Sequence, residues 1–557
     1  MSMLPPPIWT THSTEGIKTG TWRAALPRYV DAPSPCHQAC PVGGEIATWM
    51  AQAAQGQWRE AWETLVENNP FPAIAGRICH HPCESPCNRV GHDEGLAICK
   101  LERFIGDRAI EQAWAFPAPT ANRRERVAVV GAGPSGLSAA YQLRRRGFAV
   151  TLLESSGELG GVMRHGIPPY RLARAVLDAE VNRVVAAGVV VRRGIEVGSA
   201  QDLVALKTAF DAVYLATGAQ LPKRLAQVDY TRPWAWEGAA YLAASNAGHA
   251  PVLGRRVLVV GGGSAALDVA RSARRSGHDV TVLALEAANA MPAQAEELRE
   301  ALEEGVNLVA GAMLVTVHEE PQGLRLDCTR VRWGRRADSE ALEAVPLADS
   351  GFTLLTDAVV SAIGQDPSLD VWGGALVVQG RLLHVDAGAR TSLDGVYAGG
   401  DLTSMARFVT EAIAMGKRAA QQITRDLDAK RASESASAAT QPPATPAESA
   451  VALDAINRYY HPAQARVLQA VMPASQRLSA NIEVQLGIDE GPALAEAARC
   501  FSCGRCTQCD NCYRYCPDMA VVHQAGAYAV LTDYCKGCGL CVAECPTGSM
   551  RMTEELR

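Results

Sequence analysis

No run in this sequence reaches the roughly 18 consecutive apolar residues that a bilayer-spanning helix requires, so no membrane span is expected. Long blocks of one charge sign are missing too. The 53 basic and 59 acidic residues are interspersed and the net charge is −6, so nucleic acid is not an expected partner. The opening MSMLPPPIWTTHS lacks the basic and apolar segments of an export signal, which points to a cytoplasmic protein. Seventeen cysteines without such a signal argue against a disulfide framework and for thiolates that ligate a metal or a cluster. What is present is a chain of 557 residues, 48% hydrophobic, too long for one core and expected to form about three or four domains.

The stretch 127–154, VAVVGAGPSGLSAAYQLRRRGFAVTLLE, reads as strand, glycine turn, helix, strand. Gly131 and Gly133 permit a tight turn and close backbone approach, Pro134 and Ser135 open the helix, and Gly136 lets that helix pack on the sheet. The turn aims a helix N-terminus at a pyrophosphate. Glu154, ending the second strand, would accept hydrogen bonds from a ribose, so an adenine dinucleotide is expected. The stretch 255–283, RRVLVVGGGSAALDVARSARRSGHDVTVL, repeats the pattern: Gly261 and Gly263 take the first two glycine positions, Ala266 the third, and Ser264 and Ala265 open the helix. Two dinucleotide folds imply two dinucleotides. After the second strand come Ala284, Leu285 and Glu286, a carboxylate suited to a free 2′-hydroxyl, so NAD(H) is expected; the other reading of Glu286 is an exposed loop acid.

Near the C-terminus stand CFSCGRCTQCDNCYRYCP and TDYCKGCGLCVAECP. In the bacterial ferredoxin arrangement each CxxCxxCxxxCP run gives three ligands to one 4Fe-4S cluster and its fourth to the other. Cys506, Cys509, Cys512 and Cys545 would hold one cluster, and Cys535, Cys538, Cys541 and Cys516 the second; zinc-ribbon and disulfide readings are the alternatives.

The N-terminal region carries CHQACP, a helical stretch over 46–67, then GRICHHPCESPCN and AICKLERF, giving Cys36, Cys40, Cys79, Cys83, Cys87 and Cys99. Such spacing in proline-punctuated turns favours iron–sulfur ligation, with zinc as the metal alternative. This segment resembles the N-terminal cluster domain of the glutamate synthase small-subunit family, shared with dihydropyrimidine dehydrogenase and the NADH-dependent ferredoxin:NADP oxidoreductases. The resemblance implies a cluster near the flavin held by three cysteines and one Gln or Glu. The matching positions are Cys40, Cys79, Cys83 and Glu102, where a solvated helical acid is the other reading of Glu102. The same resemblance identifies the first dinucleotide as FAD. It implies flavin contacts from ELGGVMRHGIPPYRL (158–172, with Gly161 and Arg164), from Thr217 and Gly218 ending VYLATGA, from Gly364, and from Gly400 and Asp401 of the GGD turn. NADPH-using members of the family carry an Arg pair where this chain has Ala284 and Leu285, which again favours NAD(H).

One departure from the family matters. Its upstream RCxxC is missing, leaving Cys36 and Cys87 without partners, yet ARCFSC stands at 498–503. Cys500 and Cys503 are therefore expected to complete a 4Fe-4S cluster with Cys36 and Cys87, for four clusters in all; the alternative is extra cysteines in a ferredoxin loop. Cys99 and Cys328 are then spare thiols.

The expected fold is α/β: two dinucleotide-binding, Rossmann-like domains, the FAD domain split by the NAD domain, with an N-terminal helical iron–sulfur domain and a C-terminal α+β ferredoxin domain of bacterial type. Expected boundaries are an extended arm (1–34), iron–sulfur domain (35–122), FAD domain (123–250 and 356–427), NAD(H) domain (251–355), flexible Ala/Ser/Pro linker (428–450), helical segment (451–499) and ferredoxin domain (500–557).

Nicotinamide exchanges hydride, clusters pass single electrons, and a flavin converts between them. No acid or nucleophile for an organic substrate stands out, nor any glutaminase, thiamine or tungstopterin region. The arm sequence KTGTWRAALPRYVD and the ending DYCKGCGLCVAECPTGSMRM resemble the small subunit of 2-oxoacid:ferredoxin oxidoreductases. That implies an NAD-reducing subunit fed by catalytic partners that oxidise phenylglyoxylate or 2-oxoglutarate. The alternatives are an NADH:ferredoxin oxidoreductase with a ferredoxin-like carrier as partner, a glutamate synthase small subunit, and a non-catalytic redox-sensing module.

Overall fold

The structure, a computed structural model, describes residues 23–119, 122–335, 342–434, 449–479, 481–524 and 527–555. The start of the expected arm and residues 435–448 of the expected linker lie outside the described residues. The described residues form two compact units. One takes in those of Ala118–Arg431 and Ala470–Leu486, the other those of Met1–Pro117, Ala432–Gln469 and Gly487–Arg557.

The first unit holds two parallel five-stranded sheets of matching design. In one, the strand order is Val396–Ala398, Ala212–Leu215, Arg126–Val130, Ala149–Glu154, Val190–Arg193. In the other it is Ala235–Glu237, Ala358–Ser361, Arg256–Val260, Asp279–Leu283, Asn307–Val309. Each fingerprint strand is central, and Val127, Val129 and Val259 are fully buried, as strands covered on both faces require. An antiparallel meander of Ala312–Glu320, Gly323–Arg335 and Leu342–Thr356 adjoins the second sheet in sequence.

Here the expected boundaries shift. The NAD domain was expected over 251–355, with the FAD domain resuming at 356, but Ala358–Ser361 pairs in register with Arg256–Val260 and Ala235–Glu237 joins the same sheet. The reason is physical: the apolar Ala-Val-Val that opens this run belongs in a doubly covered sheet, and the slot beside the second fingerprint strand takes it, burying Ser361 as well. The FAD sheet regains a strand only at Val396–Ala398, and the crossings between sheets pair with each other as Leu221–Pro222 and Gln365–Asp366.

The second unit joins both ends of the chain. The stretch expected as one helix over 46–67 is two, Ile46–Ala53 and Trp58–Val66, broken at Gly56. In the latter, Trp58, Trp62 and Leu65 fall on one face and are buried with Ala493 and Ala497 of the helix Glu490–Ala498. Helices Pro72–Ile78 and Ile98–Glu111 cross closely because Gly76 and Gly106 put bare backbone at the contact; a β-carbon on Gly76 would run into Arg103. The extended arm is tied down at its described end: Ala25–Tyr29 pairs antiparallel with Met550–Glu554. Gly504, at φ +76°, presses so closely on the Ala32 carbonyl that no side chain fits.

The expected helical segment 451–499 is mostly irregular. Among its described residues only Ala474–Arg477 and Glu490–Ala498 are α-helical, with single turns at Leu453–Ala455 and Arg458–Tyr460. Its apolar residues Val451, Ile456 and Tyr460 are buried without helical spacing, and the ring nitrogens of Pro462 and Pro473 cannot donate to a helix ladder.

Candidate functional site

At the first fingerprint the glycines divide their tasks. Gly131 has φ +98°, and a β-carbon there would strike the Ala216 carbonyl; at Gly136 it would strike the Gly131 carbonyl. At Gly133 it would meet nothing within 4 Å, which leaves open space in front of the helix Pro134–Arg145. No side chain caps that helix, so its first amide donors are available to an anion. Glu154 accepts from the Ala132 amide at 2.7 Å and the Ser156 amide at 2.9 Å, which fixes its carboxylate over the turn. These features fit a dinucleotide pyrophosphate and ribose.

Around this turn the expected residues gather unevenly. Gly161 (φ +52°) brings its backbone against Gly133, where a β-carbon would come within 2.8 Å. Gly400 (φ +70°) lies against Ser135, whose hydroxyl hydrogen-bonds Tyr214 at 2.7 Å. Gly218 also has positive φ, +75°, three residues beyond the Ala212–Leu215 strand; Thr217 accepts from Gln220 through its carbonyl. Asp401 is held above the usual carboxylate range by burial, against the lowering effect of Arg407. Gly364 sits beside Lys223, 3.8 Å from a notional β-carbon. Arg164 is engaged within the protein: it donates to the Leu159 carbonyl at 2.7 Å and pairs with Asp178 and Glu158.

The second fingerprint is built the same way. A β-carbon on Gly261 would strike the Ala362 carbonyl, Gly263 faces open space, and the uncapped helix Ser264–Arg275 begins with Ser264 half-buried and Ala265 exposed. Glu286 brings its Oε2 to 2.5 Å from the place of a β-carbon on Gly262.

In the other unit the cysteines fall into groups. Burial pushes the Cys83 thiol far up, helped by the charges of Cys40, Cys79, Glu84 and Glu102. Burial, then Glu102, raises Cys40 to about 11. Glu102, a half-buried residue, is itself pushed up to about 7 by burial, partly offset by a 2.8 Å hydrogen bond from Asn69. Cys99 also neighbours Cys79 and Glu102, but its thiol donates to the Gly76 carbonyl at 3.4 Å. His81 donates its amide to the Cys79 sulfur at 3.2 Å and its ring faces Glu84.

A further group comprises Cys36, Cys87, Cys500 and Cys503. Burial raises Cys36 to about 12, with Cys500 and Cys87 adding to it. Cys500 rises to about 12 through burial, Cys503 and Cys87, and Cys503 to about 12 through burial, Cys36 and Cys87.

In the ferredoxin region one cavity is lined by Cys506, Cys509, Cys512 and Cys545, with Tyr29 and Tyr528. Cys541 is raised by burial and then by Cys538, Cys512, Cys516 and Cys535. The two runs thus interleave. Among the described residues no three His, Cys, Asp or Glu side chains close in tightly enough to hold a single metal ion; the thiolates of a four-iron cube stand around its corners, further apart than ligands of one ion. Cys328 lies apart, buried in the meander.

Several site residues were not singled out from sequence. Tyr29 meets the Cys512 sulfur at 3.0 Å, Asn88 donates to Cys503 at 3.4 Å, and Ser34 meets Cys36 at 3.1 Å while capping a helix. Only Ser34 carried a signal, the Ser-Pro that opens a helix.

A family profile described as pyridine nucleotide-disulphide oxidoreductase matches residues 125–416. Another, dihydropyrimidine dehydrogenase domain II, 4Fe-4S cluster, matches 29–114, and a 4Fe-4S binding domain matches 528–551. The beta subunit of NADP(+)-dependent formate dehydrogenase from Moorella thermoacetica is 34% identical over 85% of this chain and 71% of that protein. The glutamate synthase (NADPH) small chain of Azospirillum brasilense is 32% identical over 70% of this chain and 85% of its own length. The NAD-dependent dihydropyrimidine dehydrogenase subunit PreT of Salmonella typhimurium is 30% identical over 71% of this chain and 91% of its own. Among the described residues no helix is long and apolar enough to cross a membrane.

Proposed function

The chain belongs to the pyridine nucleotide-disulphide oxidoreductase family, as a glutamate synthase small-subunit-like FAD/NAD(P) oxidoreductase with iron–sulfur domains at both ends, and on that premise we propose that it is the NAD-linked electron-transfer subunit of a larger oxidoreductase. When bound, FAD exchanges hydride with nicotinamide and single electrons with iron–sulfur clusters. The protein's residues hold and orient. Gly131, Gly133, Pro134, Ser135 and Gly136 would receive the FAD pyrophosphate, Glu154 its ribose, and Gly161, Arg164, Thr217, Gly218, Gly364, Gly400 and Asp401 its flavin end. Gly261, Gly263, Ser264, Ala265 and Glu286 would receive NAD(H). Cys40, Cys79, Cys83 and Glu102 would ligate one cluster, and the eight ferredoxin cysteines two more.

The preference for NAD(H) rests on Ala284 and Leu285, which carry no charge for a 2′-phosphate, and on Glu286 over the turn.

The observation that carries the partner assignment is a strand pairing. The arm and the C-terminal segment, which both resemble the small subunit of 2-oxoacid:ferredoxin oxidoreductases, are hydrogen-bonded to each other from Ala25–Glu554 to Tyr29–Met550. That favours a 2-oxoacid oxidoreductase as electron source, of the phenylglyoxylate or 2-oxoglutarate kind. A second reading, in which formate-oxidising subunits feed the same port, draws on the Moorella relative. The complex isolated from its native host decides. NAD⁺ reduction driven by a 2-oxoacid and coenzyme A supports the first reading; reduction driven by formate and not by 2-oxoacids rejects it.

A further inference from the structure

The four buried thiols that belong neither to the Cys40 group nor to the ferredoxin pair come from opposite ends of the chain. Every pair among Cys36, Cys87, Cys500 and Cys503 is near enough for one thiol to feel the other's charge. Cys36, Cys87 and Cys500 share one buried core, and Cys503 packs on the adjoining one. The surroundings suit thiolate sulfur: Asn88 donates its Nδ2 to Cys503 at 3.4 Å, Ser34 lies 3.1 Å from the Cys36 sulfur, and the Ser502 amide donates to Cys500 at 3.3 Å. Burial holds the Cys87 thiol up, opposed by backbone hydrogen bonds from Leu96 and Arg89 and then by the charges of Arg499 and Arg89. Such donors and charges stabilise a buried anionic cluster.

The chain segments also set an order. Cys36 and Cys40 lie four residues apart, at the start and C-cap of one helix, and the Cys40 amide donates to the Cys36 carbonyl at 3.1 Å. Cys83 and Cys87 are likewise four apart, and Cys503 is three from Cys506. Two of the segments that would supply this group thus also supply the Cys40 group, and the third runs on into the ferredoxin group. The joint is tight: Gly504 rests on Ala32, and Asn88 also donates to the Val451 carbonyl at 2.9 Å.

We infer that Cys36, Cys87, Cys500 and Cys503 hold one additional 4Fe-4S cluster assembled from both ends of the chain, and that it is the relay between the Cys40 group and the ferredoxin pair. The inference rests on the reading that this unit carries iron–sulfur clusters. The relay passes one electron at a time, supplied by NADH through the flavin, with no bond made or broken.

The test uses the full chain purified without oxygen. Cys36→Ala, Cys500→Ala and their double variant are compared by iron content and by low-temperature electron paramagnetic resonance after dithionite. Each single variant should lose about four iron atoms and the same set of resonances, and the double variant no more than either single. On mixing with NADH, the ferredoxin resonances should develop at least ~10-fold more slowly than in the parent while dithionite still produces them. Unchanged iron, or losses that add in the double variant, overturn the shared site; unchanged ferredoxin reduction overturns the relay. If the alanine variants do not fold, Asn88→Leu leaves all four thiolates in place. It should then shift the midpoint potential of one cluster downward and leave the others, and no shift in any cluster counts against the site. A parent protein without iron would count instead against the broader function.

Discussion

The Glu286 carboxylate lies over Gly262, its Oε2 2.5 Å from where a β-carbon on that glycine would sit, and Glu154 takes the corresponding place on the first turn by accepting the Ala132 amide at 2.7 Å. A carboxylate there accepts from a ribose hydroxyl and repels a 2′-phosphate. NADH should therefore be preferred over NADPH with an artificial acceptor. Glu286→Arg should move the ratio of kcat/KM values toward NADPH by ~10-fold or more, the worth of one charge-assisted hydrogen bond. A parent enzyme that prefers NADPH would refute this use of Glu286.

The glycines of the first turn predict two distinct failures. Gly133→Ala places its methyl in open space, so the fold should be kept, with an unchanged melting temperature for the flavin-free protein, while FAD affinity falls. Gly136→Ala drives a methyl into the Gly131 carbonyl, so it should destabilise the protein itself, by ~1–3 kcal/mol. Differential scanning calorimetry with and without FAD separates them. Identical behaviour of the two variants would show that the glycines do not divide these tasks.

Arg171 lies half-buried between the buried Asp268, at 2.6 Å, and the buried Glu297. Burial raises Asp268 to about 7, Arg171 lowers it and Glu297 raises it. Arg171→Leu leaves two buried carboxylates facing one another, and urea unfolding should show a loss of ~3–5 kcal/mol at alkaline pH, where both are ionised. The sign with pH follows from the raised Asp268. Losing its cation pushes Asp268 further above about 7, so in the variant it takes up its proton while pH is still falling toward neutral, and the deficit should be greatest at alkaline pH and shrink as pH falls toward about 7. A deficit that grows toward acid pH contradicts the repulsion argument.

Much of this site was legible because it is local. The glycine spacing of each turn, the acids Glu154 and Glu286, and the interleaved ferredoxin cysteines lie in short stretches whose spacing sets their geometry. What escaped is non-local. The Ala-Val-Val of the strand Ala358–Ser361 suits either sheet, so only its partner, Arg256–Val260, decides where it belongs. The pairing of Ala25–Tyr29 with Met550–Glu554 and the contact of Tyr29 with Cys512 join residues hundreds of positions apart, with no periodic signal. Val451, Ile456 and Tyr460 are apolar for burial in an irregular segment, which composition alone made resemble a helix.

Tyr29 gives a selective handle on one ferredoxin cluster. Its hydroxyl lies 3.0 Å from the Cys512 sulfur and lines the cavity of Cys506, Cys509, Cys512 and Cys545. Tyr29→Phe removes that hydrogen bond and little else, so the potential of this cluster should fall while the Cys535 cluster holds its value. A spectroelectrochemical titration in which both potentials move equally, or neither moves, would count against the assignment.

The central claim is that one chain couples NAD(H) through FAD to iron–sulfur clusters, and anaerobic stopped-flow mixing of the purified protein with NADH tests it most directly. The account predicts loss of the flavin absorbance band first, followed by the broad bleaching of reduced clusters, with far slower changes when NADPH is used. Flavin that NADH does not bleach, or bleached flavin beside clusters that stay oxidised although dithionite reduces them, would contradict it.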